Sequence, residues 1–166
     1  MAAHDLSPHA VAPPGARSAE GAEPAGGGLA AALSREHLQS LLGAWFAPWV
    51  QALDLRVEAF EPGAVTLRLP QQAALSRIGG IVCGQALMSA ADTAMVLAIV
   101  TQIGSERNMT TVQLNTSFLK PLANQDALVS ARVIRAGKNL VFGEIDIVAA
   151  NDGKSVCRAS TTYALL

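Results

Sequence analysis

The sequence predicts an α+β domain in which one long helical segment sits among five or six antiparallel strands. Three observations carry this. Gly79 to Gly104 is apolar almost throughout, and Asp92 is its one carboxylate. Thr110–Leu119 alternates Val112, Leu114, Thr116 and Phe118 against Thr111, Gln113, Asn115 and Ser117, the period of a half-buried strand. Further strand-like runs are separated by short clusters of turn formers.

The elements follow in order. Residues 1–33 are rich in Ala, Gly and Pro, with Pro13-Pro14-Gly15 and Gly26-Gly27-Gly28, and every aromatic residue lies later, from Trp45 onward. Such a segment buries too little apolar surface to offset its ordering entropy, so a disordered tail is expected over 1–33 and a folded domain over 34–166. The tail lacks the basic start and apolar core of a signal peptide. Ser34 reads as an N-cap with Glu36 in the first turn. The short helix after it carries Leu38, Leu41, Leu42 and Trp45 on one side and is expected to end near Pro48. Leu55–Phe60 and Ala64–Leu69 read as strands joined across Glu61-Pro62-Gly63. Asp126–Arg135, Leu140–Ala149 and Lys154–Leu166 are three more strands. Ala136-Gly137-Lys138-Asn139 and Asn151-Asp152-Gly153 are the turns between them.

Composition excludes several functions. The chain has 166 residues, 51% of them hydrophobic and 15% charged, enough apolar material for one core. Twelve basic side chains stand against thirteen acidic ones. Without a basic excess nothing grips a phosphate backbone, and nucleic acid is not an expected partner. Two cysteines, Cys83 and Cys157, make no disulfide framework, and a reduced cytoplasmic compartment suits them better. His4 and His9 fall in the tail, leaving His37 alone in the domain, so histidine is not expected to carry the chemistry.

The long segment is the informative one. Length alone would let Ile81–Ile103 span a membrane. Gln85, Ser89, Asp92 and Thr93 fall in its middle, however, and strands flank it, so a buried central helix of a domain without membrane contact is the better reading. On a helix Gln85, Ser89 and Asp92 share one face. A carboxylate on so apolar a helix must be paired or wet. It is either a satisfied core group, bonded to Thr93 or a neighbouring strand, or a base or nucleophile in a partly desolvated cleft. Gly79-Gly80 and Gly84 allow close backbone approach at the helix start, where free N–H groups form an oxyanion site. Gly84 and Asp92 are about 12 Å apart along a helix. A reacting carbonyl must lie within about 3 Å of each group, so one helix cannot serve both on one substrate. Two copies of the chain in an isologous dimer could.

The stretch Gly79-Gly80-Ile81-Val82-Cys83-Gly84-Gln85-Ala86-Leu87, followed by Ala91-Asp92-Thr93-Ala94, resembles the hotdog-fold acyl-CoA thioesterases of the phenylacetate-degradation type. Their motif is a glycine, two residues and His-Gly-Gly, then an acid eight residues after the first Gly of that pair. Thr111 to Pro121 resembles their strand ending in an aromatic and a proline, and Ala136 to Phe142 their Gly-Lys turn. The resemblance covers about residues 41–166 and implies a long central helix wrapped by a five- to six-stranded antiparallel sheet. It implies hydrolysis of acyl-CoA, in a homodimer or dimer of dimers with sites at the subunit interface. No metal or redox cofactor is implied, and CoA enters only as part of the substrate.

By this resemblance Asp92 attacks the thioester or activates water, the Gly84 N–H polarises the carbonyl, and the Thr111 hydroxyl positions water or the carboxylate. Gly137, Lys138 and Asn139 would lie along the CoA chain, although a solvated turn lysine explains Lys138 equally well. Gln113 and Phe118 would lie near the acyl pocket, or simply be a polar strand face and a core ring. Two positions depart from the motif: Cys83 stands where relatives carry the supporting His, and Gln85 where they carry the second Gly. Cys83 could fill that space or act as a nucleophile, but no base is at hand to activate it. Gln85 and Ser89 could contact substrate. Arg77 holds the place of the family's Asn or Gln and could bring its charge near Asp92. A non-catalytic acyl-CoA binding protein is the alternative that Cys83 and Gln85 leave open.

Overall fold

The computed structural model describes residues 33–166. The tail expected over 1–33 lies outside the described residues but for Leu33, which packs half-buried against the core. Ser34 caps α1 (Arg35–Ala44), its Oγ accepting the His37 N–H at 3.1 Å, and Leu38, Leu41 and Leu42 are buried on the predicted side. Pro48 does not end this helix but opens another, α2 (Pro48–Gln51). The first helical position needs no N–H and suits proline's fixed φ. Trp45-Phe46-Ala47 thereby becomes an elbow between two helices.

The predicted strands form within one residue of their expected bounds. β1 (Arg56–Glu61) and β2 (Ala64–Leu69) are joined by Pro62-Gly63, with Gly63 at φ +80 as a Pro-Gly turn requires. A small hairpin the periodicity does not foretell comes next, β3 (Ser76–Arg77) with β4 (Ile81–Val82), turning through Gly79 and Gly80 at φ +85 and +68. Then come α3 (Gly84–Ile103), β5 (Met109–Phe118), β6 (Ala127–Ala136), β7 (Leu140–Ala149) and β8 (Ser155–Leu165). The sheet order is β1-β2-β6-β7-β8-β5. Every pairing in it is antiparallel, and β1 and β5 are the edges.

The sheet wraps α3, which packs against all six of these strands. Alanines at 86, 90, 91, 94 and 98 on α3 are buried and let the sheet come close. Gly104 ends the helix at φ +67, its N–H bonded to the Val100 carbonyl at 2.9 Å. By length and mean hydropathy (1.6) α3 could cross a bilayer, yet 67% of that stretch is buried within the domain, the placement of a core helix. The outer face of the sheet carries cross-strand ion pairs instead, Arg132 with Glu144 and Arg158 with Asp146.

Closest approach comes at Gly143 on β7, where the fully buried Met95 of α3 occupies the place a Cβ would need. The Arg132 carbonyl oxygen, 3.0 Å from that point, closes the other side. Gly143→Val is therefore expected to destabilise the fold by about 1–3 kcal/mol, the range for overpacking, read as a lowered urea midpoint with an unchanged slope.

Candidate functional site

Between Gln85 and Val96, α3 leaves Gln85, Met88, Ser89, Asp92 and Val96 unburied, one stripe at helical spacing. Gln85, Ser89 and Asp92 line a cleft of about 370 Å³, and Thr111 of β5 closes one side. Apart from the buried Thr93, the remaining wall is apolar: Met88, Leu114 of β5, and Phe46, Trp49 and Val50 from the elbow and α2. Sequence reasoning missed this wall, because Phe46 falls in a helical segment read only for its core side and Trp49 lies past the expected helix end at Pro48. Met88 was legible in principle, three residues beyond Gln85 on the same stripe.

Strict alternation puts Thr111 on the opposite face of its strand from Leu114. A bulge between Thr111 and Gln113 in the pairing with β8 corrects this. One extra residue shifts the phase of the pleat, so Thr111 joins Leu114 on the face toward α3. Val112 is left in the bulge with 60% of its surface exposed, and Phe118, expected near the acyl pocket or as a core ring, is 52% exposed. The edge position of β5 explains both.

Thr111 Oγ1 donates to Asp92 Oδ1 at 3.0 Å. Directly across from Thr111 in the β5–β8 register stands Tyr163. Its hydroxyl lies 2.5 Å from the same Oδ1 and 3.0 Å from the Asp92 carbonyl oxygen. Tyr163 is 1% exposed, and burial first, then the adjacent carboxylate, push its phenol above the usual tyrosine range. It is a proton-bearing donor at any ordinary pH. Tyr163 was not singled out from sequence, although it is the only tyrosine in the chain. Asp92 is thus tied to two neighbouring strands through one oxygen, while Oδ2 has no hydrogen-bond partner among the described residues.

Gly84 lies in a separate cleft of about 480 Å³ with Arg77 and Phe118. Cys83 precedes α3 without a side-chain cap bond, and no acceptor among the described residues takes the Gly84 or Gln85 N–H. The Phe118 ring sits where a Gly84 Cβ would stand 3.0 Å from its Cζ. Phe118 therefore covers the helix start and does not line the Asp92 cleft. Arg77, expected near Asp92, is likewise placed with Gly84. Gln113 is exposed on the polar face of β5 opposite Leu114, where strict alternation puts it, and so away from the cleft. Gly137, Lys138 and Asn139 form an exposed turn. This turn caps the end of the sheet where the rung Thr111–Tyr163–Val141 lies.

Cys83 packs half-buried against the core, and His37 is engaged with Glu106 at 3.2 Å. Burial raises the Cys157 thiol, which packs as a small hydrophobe. Among the described residues no three His, Cys, Asp or Glu side chains converge as a metal site.

Residues 79–156 match the model of the thioesterase superfamily. A relative from Saccharolobus solfataricus, whose esterase name is provisional, is 33% identical over 105 residues, 63% of this chain and 68% of the relative. Another from Thermoplasma acidophilum, named in the same way, is 27% identical over 112 residues, 68% of this chain and 83% of the relative. A conserved Pseudomonas aeruginosa protein superposes with a TM-score of 0.67 at 26% identity, covering 73% of this chain and 95% of the other. A hypothetical thioesterase from Streptococcus pneumoniae, solved with coenzyme A, shares the fold at a TM-score of 0.64 and 18% identity over 70% of this chain and 90% of its own. The wrapped helix is the hotdog thioesterase fold. The chain belongs to the thioesterase superfamily.

The lone tyrosine makes its environment measurable. Because the folded state holds the phenolic proton more tightly, the unfolded state alone ionises above about pH 10, and stability falls as pH rises. The expected loss is about 1.4 kcal/mol per pH unit there, present in the wild type and missing from Tyr163→Phe. Tyrosinate absorbance that develops in the folded protein near pH 10 would contradict the assignment.

Proposed function

We propose that the protein hydrolyses acyl-CoA thioesters to the free acid and CoA. The observation that carries this is Asp92, held through Oδ1 by Thr111 and Tyr163, with no partner for Oδ2 among the described residues, beside a largely apolar cleft. Two donors on one oxygen fix the carboxylate plane and leave the other oxygen for chemistry. As general base, Oδ2 takes a proton from water while the oxygen of that water attacks the thioester carbon. The developing oxyanion needs a donor in place, and the Gly84 N–H at the start of α3 supplies one. Collapse expels the thiolate of CoA, which takes the proton back. Direct attack by Asp92, through a mixed anhydride that water then opens, uses the same residues.

The two groups occupy different clefts of one chain, so the reading requires Asp92 of one copy and Gly84 of another. β5 supports this, being an edge strand with one sheet partner and exposed Val112, Phe118 and Leu119. A homodimer or dimer of dimers results. Lys138 and the turn around it, at the same end of the sheet as Asp92, are the residues we assign to the CoA chain. The order of the glycine-rich, strand and Gly-Lys motifs supports the phenylacetate-degradation type, and the two cysteines support a cytoplasmic setting. The departures at Cys83 and Gln85 favour a second reading, an acyl-CoA binding protein that does not turn over.

Release of free CoA, followed with a thiol reagent over a panel of acyl-CoAs, separates the two. Hydrolysis predicts turnover that falls at least about 100-fold in Asp92→Asn with the fold intact, whereas Cys83→Ala keeps most of it. Binding without CoA release in the wild type would leave only the second reading. Co-expressed Asp92→Asn and Gly84→Pro chains test the shared site. Heterodimers contain one intact pair and are expected to regain up to about half the wild-type activity per dimer. The half-exposed Phe118 ring has room to yield to the proline.

A further inference from the structure

Three cavities meet at the elbow between α1 and α2, and Phe46 lines all of them. The first is the Asp92 cleft of about 370 Å³. The second, about 390 Å³, is lined by Trp45, Val96, Arg107 and Met109. The third, about 230 Å³, lies under α1 and shares Val50 and Thr93 with the first. The second cavity lies beyond the first along α3 and β5. Val96 is one helical turn beyond Asp92, about 6 Å. Met109 is two residues from Thr111 on the same face of β5, about 7 Å. Phe46 is the side chain common to these two compartments.

We infer that Phe46 is the partition that sets acyl length, closing the Asp92 cleft to a compact acyl group and shutting off the chamber beyond. This rests on the acyl-CoA reading above and adds to it the size class of the substrate. Each chamber alone is at the small end of ligand pockets, roughly 300–1,000 Å³. The Asp92 chamber takes a short or branched chain or a single ring. A long chain needs both chambers, and reaching the second means displacing an aromatic ring. Phe46 stands on neither α1 nor α2 but in the elbow, so its position is set by Pro48 starting a new helix and by the Phe46 carbonyl accepting from Gln51 Nε2 at 2.6 Å.

The two tryptophans of the chain report on the two chambers separately, Trp49 on the first and Trp45 on the second. Single-tryptophan variants, Trp45→Phe and Trp49→Phe, can be titrated with free hexanoate, phenylacetate and dodecanoate, which needs no hydrolysis. With Phe46 in place, hexanoate and phenylacetate are expected to change Trp49 emission and leave Trp45 unchanged. In Phe46→Ala, dodecanoate is expected to bind at least about 10-fold tighter than with Phe46 present, because the added methylenes gain burial. Trp45 emission then responds as well. Phe46→Leu, a milder truncation, should give an intermediate gain and serves if the alanine variant does not fold.

A Trp45 response to the acids with Phe46 present would overturn the partition. So would a folded Phe46→Ala or Phe46→Leu protein with no gain for dodecanoate, or the absence of any acid binding. CoA release by the wild type decides the thioesterase reading independently. If it occurs, the dodecanoyl-to-hexanoyl ratio of kcat/KM should rise at least about 10-fold in Phe46→Ala.

Discussion

A helix that is apolar on nearly every side has to be covered on nearly every side, and the cover of α3 governs the rest of this molecule. Six strands curve around it, and buried alanines with the Gly143–Met95 contact allow the approach. Interiors pack to crystal-like density, so the helix has almost no freedom to rotate or slide within its wrapping. One stripe is left uncovered, and it contains the single carboxylate of the helix. A rotation that buried Asp92 elsewhere would strand a charge among alkyl groups, a far larger penalty than any packing gain. The fold and the placement of the acid are therefore one constraint.

That constraint alone would leave Asp92 loosely placed. What fixes it is the meeting of two strands that are adjacent in the sheet and remote in sequence. β8 brings Tyr163 from the far end of the chain, and the bulge in β5 turns Thr111 toward the same oxygen. A buried phenol needs a hydrogen-bond acceptor, and a half-buried carboxylate needs donors. Each satisfies the other, and both donors converge on one oxygen. The bulge sits on an edge strand, where an unpaired residue disturbs only one ladder.

The N-terminal helices supply what the sheet cannot. The strands close around α3 but leave the Asp92 stripe uncovered beside β5, and the elbow and α2 wall that side with Phe46 and Trp49. With a second helix starting at Pro48, Trp45 and Trp49 line two neighbouring cavities and Phe46 lines both. A single continuous helix would have carried those rings around its own circumference instead.

Much of the architecture was already determined by local sequence. Apolar runs of period two, separated by Pro-Gly, Gly-Lys-Asn and Asn-Asp-Gly turns, place all six long strands within one residue, since strand and turn chemistry act over a few neighbours. The Gln85, Ser89, Asp92 stripe was legible for the same reason, as helical periodicity is a local property. Tertiary structure alone decided which partners meet that stripe. Tyr163 reaches Asp92 across seventy-one residues, the bulge reverses the facing of Thr111, and Arg77 and Phe118 go to Gly84 rather than to Asp92. Strand pairing and close packing join residues by position in the sheet, not by separation along the chain. A one-residue shift in register changes which face a side chain takes, and no local pattern records it.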